Sequence, residues 1–150
     1  MSLEIMSERL SPPLRDAYRY FLPIPSRWMD NDLYGHVNNV IYYSWMDTVV
    51  NRFLIDEGKL DINAGPIIGV AAESGCNYFA SVAYPDVVDA GLRVARLGTS
   101  SVRYEVAIFP ESVQDAVAAM FIVHVFVARD TMRPVPIPEP IRSALANIQP

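Results

Sequence analysis

The stretch that decides the fold is Asn38-Asn39-Val40-Ile41-Tyr42-Tyr43-Ser44-Trp45-Met46-Asp47-Thr48-Val49-Val50-Asn51-Arg52-Phe53-Leu54-Ile55-Asp56-Glu57. Ile41, Trp45, Val49 and Phe53 recur at helical spacing, and Tyr42, Met46, Val50 and Leu54 fall beside them. Ser44, Asp47, Thr48, Asn51 and Arg52 leave only a narrow polar stripe. A helix this apolar around its circumference has to be wrapped by other structure. Asn38 is a good N-cap type, and Gly58 is placed to end the helix.

Outward from this helix, the period changes to two. Before it, Tyr20, Leu22 and Ile24 alternate, which predicts a strand within 18–27, with Pro23 and Pro25 placing it at an edge. Trp28 to Val37 reads as a loop. After the helix, a long strand is expected from Ile67 to about Ala83, with Gly69 and Gly75 as bulge points. Further strands are expected over Val87–Leu97 and Ser101–Phe109, joined by a turn at Gly98-Thr99. Val102, Tyr104, Val106 and Ile108 should point inward, and Ser101, Arg103 and Glu105 outward. Val117–Ala128 is nearly all apolar, as a central strand covered on both faces would be. Residues 1–18 read as a loose leader, and the proline-rich segment 130–150 as a tail with a short helix at Ile141–Asn147. The order predicts one α+β domain over 1–150, an antiparallel sheet wrapped around one long buried helix.

Composition bounds the function. Of the 150 residues, 51% are hydrophobic and 19% charged, which is enough to build a core. Seventeen acidic against 12 basic side chains give a net charge of −5, which argues against a nucleic-acid binder. The single cysteine, Cys76, has no internal disulfide partner. The longest apolar block, Ala116–Ala128, falls short of the roughly 18 residues of a membrane span. Glu4, Glu8 and Arg9 interrupt any signal-peptide pattern, so a cytoplasmic location is expected.

The chemistry gathers in the segment that enters the helix, Arg27-Trp28-Met29-Asp30-Asn31-Asp32-Leu33-Tyr34-Gly35-His36-Val37-Asn38-Asn39. It places carboxylates and a histidine beside a helix N-terminus. The unpaired N–H groups and partial positive charge there suit a polarised carbonyl or an oxyanion. A carboxylate in such a place can act as general base or nucleophile. Asp30, Asp32 and His36 also imitate a metal set, but no second His or Cys cluster accompanies them, and no metal is expected. Asp30 reads as structural. Cys76 and His124 could suggest a thiol and its base; both lie in apolar strand patterns, where buried packing is the plainer reading.

The string Asp30-x-Asp32-x-x-Gly35-His36-Val37-Asn38-Asn39-x-x-Tyr42 resembles the signature of hot-dog thioesterases of the 4-hydroxybenzoyl-CoA thioesterase type, including the YbgC-like and FadM-like acyl-CoA thioesterases. Tyr84-Pro85-Asp86, Leu97-Gly98-Thr99-Ser100-Ser101 and the apolar last strand extend the resemblance over 18–129. It implies a hot-dog fold and hydrolysis of an acyl-CoA thioester to the free acid and coenzyme A. Asp32 would be the catalytic carboxylate, the Asn39 amide would polarise the carbonyl, and His36, where members vary between His and apolar residues, is a further catalytic candidate. Tyr34, Gly35, Val37, Asn38 and Tyr42 would belong to the substrate site, with Tyr43 a further candidate wall. No cofactor is implied, coenzyme A being part of the substrate, and a homodimer or homotetramer is. Some relatives use an acid within the helix, where Asp47 is the candidate. Arg93, Arg96, Arg103, Arg129 and Arg133 are candidates for the phosphates. Two alternatives stay open: a hot-dog enoyl-CoA hydratase or dehydratase, and a non-catalytic acyl-CoA binding module.

Overall fold

The computed structural model describes residues 11–150. The first ten residues of the expected leader lie outside the described residues. Five strands form one antiparallel sheet: β1 Tyr20–Pro25, β2 Ile67–Tyr78, β3 Val87–Leu97, β4 Ser101–Pro110 and β5 Ala118–Ala128. Their order across the sheet is β1-β3-β4-β5-β2. Helix α1, Asn39–Asp56, lies against the inner face over β1, β3 and β4. A short helix α2, Ile141–Ala146, closes one end of the core with Ile141 and Leu145. This is the α+β hot-dog arrangement, a sheet curled round one main helix.

The helix forms where its periodicity places it. Asn38 caps it by accepting the Val40 N–H at 3.0 Å. Trp45, Met46, Val49, Val50, Phe53 and Leu54 are almost wholly buried against Leu92, Tyr104 and Ile108. Each of these large side chains contributes about 1.5–3 kcal/mol through burial. Past the helix, the left-handed residue is Lys59 rather than Gly58, whose own N–H bonds back to the Phe53 carbonyl at 3.2 Å.

Three expectations need correction. The strand begun at Ile67 stops at Tyr78, five residues short of Ala83. Its bulge falls between Ala71 and Glu73, not at Gly69 or Gly75. Those glycines mark close approaches instead. A Cβ on Gly75 would lie 2.6 Å from the Phe121 ring, and one on Gly69 would lie 3.0 Å from His124 Nδ1. Finally, β5 is covered fully only on its inner face. Met120, Ile122 and Phe126 are buried there, whereas Ala119, Phe121, Val123 and Val125 on the outer face are half-buried.

From Ser11 onward the expected leader is packed rather than loose. A single 3-10 turn, Arg15–Ala17, crosses the outer face of the sheet. The Arg15 guanidinium donates to Asp89 at 2.7 Å and to the Pro110 carbonyl at 3.0 Å, and it lies over the Phe109 ring. Tyr18 then packs edge-on to Phe109, so this end of the outer face is covered.

Candidate active site

The segment between β1 and α1 folds back as a miniature hairpin. The Asn38 N–H donates to the Asp30 carbonyl at 2.9 Å, Asn31 bridges Val37, and the Asp32 N–H donates to the His36 carbonyl at 2.9 Å. Leu33, Tyr34 and Gly35 form the tip. Gly35 has φ +83°, a conformation open to glycine at little cost, and a Cβ there would meet nothing within 4 Å. The glycine therefore serves the turn, and the space beside it is open. Val37 anchors the returning arm in the core, and its N–H donates to the Val82 carbonyl at 2.8 Å.

The two carboxylates of this hairpin have different surroundings. Asp30 is 1% exposed and held by three hydrogen bonds. Its Oδ2 accepts the Arg27 N–H at 2.7 Å, and its Oδ1 accepts Arg27 Nε and Nη2 at 3.0 and 2.8 Å. With three bonds to Arg27 and almost no exposed surface, the group is turned to its own loop, in keeping with a structural role. Asp32 is half-buried beside the tip. Its Oδ1 accepts the Tyr34 N–H at 2.8 Å, and Oδ2 makes no hydrogen bond among the described residues. One oxygen orients the group and the other is open.

The start of α1 supplies the complementary feature. Val40 donates to the Asn38 side chain and Ile41 to the Asn38 carbonyl at 2.9 Å. Between them and the hairpin, the Asn39 N–H has no protein acceptor among the described residues. Asn39 is exposed, so this first helical amide is available to a ligand oxygen.

The remaining candidates scatter. His36 and Tyr34 are exposed, Tyr34 by 88%. Tyr42 is a core residue, edge-on to Trp45, while Tyr43 is 38% exposed on the helix flank. Asp47 stands eight residues beyond Asn39, about 12 Å along the helix axis. Of the arginines, Arg93 is bound to Glu105 at 2.9 Å, and Arg129 donates to the Gly65 and Ile62 carbonyls. Arg103 lies over the Phe121 ring, and Arg96 and Arg133 are exposed.

Two features escaped the sequence reading. Tyr78, at the end of β2, donates to the Asn39 carbonyl at 3.4 Å and meets Tyr42 edge-on, which ties the last turn of strand to the first turn of helix. Burial pushes its phenol up, so it remains a donor. Around the hairpin, Trp28, Met29, Leu33 and Tyr34 expose 73 to 103% of their surface, and Tyr84 stacks edge-on against Trp28. Only tertiary placement distinguishes such residues from core.

Cys76 and His124 do not form a pair. Cys76 is opposite Met120 and His124 is opposite Ala71, so four residues of β5, about 13 Å, separate them along the strand. Burial raises the Cys76 thiol and makes it a poor nucleophile. His124 is buried edge-on to Tyr104, and its Nδ1 has no partner among the described residues. Burial lowers its pKa below 6.5, with Asp47 opposing in part. The folded chain thus binds fewer protons than the unfolded one as pH falls through 6.5, and stability is lost toward the lower folded pKa. The thermal midpoint should fall between pH 7.5 and 5.5, and His124→Phe should shrink that fall. An identical fall in both proteins contradicts the assignment to His124.

The profile of the thioesterase-like superfamily matches residues 26–145 of the chain. No curated protein sequence matches it significantly. Among solved structures, the PA5185 protein of Pseudomonas aeruginosa strain PAO1 is 56% identical, with a TM-score of 0.91 over 92% of this chain and 96% of that one. The PA2801 protein of Pseudomonas aeruginosa is 30% identical, with a TM-score of 0.79 over 83% and 96%. Slr0204 of Synechocystis, a 1,4-dihydroxy-2-naphthoyl-CoA thioesterase, is 17% identical, with a TM-score of 0.77 over 85% and 95%; it shares the fold. With the profile spanning hairpin, helix and all the later strands, the chain belongs to the thioesterase-like superfamily.

Proposed function

We propose that the protein hydrolyses an acyl-CoA thioester, with Asp32 as general base or nucleophile and the Asn39 amide holding the thioester carbonyl oxygen. The observation that carries this reading is a division of labour at one loop. An open carboxylate oxygen and an unpartnered helix N-terminal N–H flank the same hairpin. Attack at the carbonyl carbon moves negative charge onto its oxygen, and the amide dipole at the helix start stabilises that charge. Asp32 either takes a proton from a water that attacks the carbonyl carbon, the adduct then collapsing with loss of the coenzyme A thiolate, or attacks that carbon itself, expelling the thiolate to leave an acyl-enzyme anhydride that water cleaves to the free acid. The superfamily membership and the naphthoyl-CoA activity of Slr0204 support the substrate class.

The apolar surface beside the hairpin and the open outer edge of β2, exposed from Ala71 to Ser74, support a site completed by a second copy of the chain. A YbgC-like or FadM-like assignment within the superfamily is part of the same proposal. Among the described residues no helix is long and apolar enough to cross a membrane.

A panel of acyl-CoA esters followed by release of free thiol tests the reaction. At least one aliphatic or aromatic member should be cleaved with saturation. A panel that is bound but never hydrolysed contradicts the reading and favours a binding module. Hydration of crotonyl-CoA without thiol release would mark a hydratase.

A further inference from the structure

The outer face of the sheet, opposite α1, carries a charge arrangement that the Asp32 chemistry does not use. On β3 and β4, Arg96 and Arg103 are directly paired positions, so their Cα atoms stand about 5 Å apart on one face. Like charges placed opposite each other destabilise a sheet. Neither guanidinium is in an ion pair among the described residues. The neighbouring acid in the next row, Glu105, is engaged by Arg93. In their own row, Val123 separates Arg103 from Glu73 on β2, two strand spacings or roughly 9.6 Å away.

Arg103 is also held in place. Its guanidinium carbon lies 3.9 Å from the centroid of the Phe121 ring. That ring lies so close over Gly75 that a Cβ there would be 2.6 Å from it. The stack Gly75–Phe121–Arg103 fixes the plane of the guanidinium while leaving its N–H edge unused, with a cation–π contact as support. A cleft of about 230 Å³ opens beside it, bordered by Arg93, Arg103, Glu105, Tyr18, Asn77 and Phe121.

We infer that Arg96 and Arg103 form a binding site for a phosphate dianion, as carried by a pyrophosphate or a phosphomonoester. Two adjacent positive charges, one of them held by its ring stack, match a doubly charged group better than a single carboxylate, and the guanidinium fork suits its oxygens. The site is remote from Asp32 of the same chain. Arg96 lies nine residues along β3 from Val87, which adjoins the hairpin end, and nine residues span about 30 Å. The phosphate therefore belongs either to free nucleotide or pyrophosphate, or to coenzyme A.

Calorimetric titration of the full chain at low salt, with inorganic pyrophosphate and separately with coenzyme A, tests this without reference to turnover. Pyrophosphate should bind, and Arg103→Gln and Arg96→Gln should each weaken it at least tenfold, while Arg52→Gln, on the helix and paired with Asp56, leaves it unchanged. Binding should also weaken as salt rises. Coenzyme A weakened by the same two variants identifies the carrier as the source; coenzyme A unaffected identifies free phosphate. Arg96 is exposed, so Arg96→Gln keeps the test valid if Arg103→Gln misfolds. No pyrophosphate binding, or binding indifferent to both variants, overturns the site even where thioester hydrolysis is found.

Discussion

An Asp30→Ala chain should melt about 5–10 °C below the parent. Removing the carboxylate strips three hydrogen bonds from a group that is 1% exposed and leaves the Arg27 N–H without its acceptor. Hydrogen bonds to a charged, buried acceptor contribute more than neutral ones, and a loss of about 2–3 kcal/mol is the central expectation. In a chain of this length each kilocalorie moves the midpoint by about 2–4 °C. Asp30→Asn keeps the shape and one acceptor oxygen, so its loss should be smaller. In both variants, activity lost by warming should return on cooling to a temperature where the chain is folded. An Asp30→Asn chain of parental stability with no turnover would show that Asp30 takes part in the reaction.

The long helix, its cap and the three strands from Val87 onward were legible because their signals are local. Asn38 caps by a hydrogen bond two residues away, and the helical stripe needs only its own spacing. What depended on a partner across the sheet was not legible. Gly75 and Gly69 look like bulge residues in isolation, yet each answers to a ring on β5 that approaches it. The bulge itself sits between Ala71 and Glu73, where the composition carries no mark. In the same way, the apolar run of β5 does not reveal that its outer face is only half covered within one chain.

The candidate site divides along the same line. Asp32, Gly35 and Asn39 were placed together because they are close in sequence, and the hairpin keeps them so. The tyrosines were read from one helix and one loop without knowledge of direction. Tyr42 turned into the core and Tyr34 outward to solvent, while Tyr78, unmarked in the sequence, reached the helix start.

The most direct test of the account is the hydrolysis rate of Asp32→Asn on an acyl-CoA that the parent cleaves. Asparagine preserves the oxygen that accepts the Tyr34 N–H, so the hairpin should keep its form and its thermal midpoint. It removes the negative charge needed to take a proton or to attack, and a positioned acid–base group contributes at least about a hundredfold. Acyl-CoA binding should survive, because the Asn39 amide is untouched. Asp47→Asn, made beside it, should hydrolyse at close to the parental rate. A folded Asp32→Asn chain that turns over like the parent, with Asp47→Asn inactive, would contradict the account and move the catalytic carboxylate into the helix.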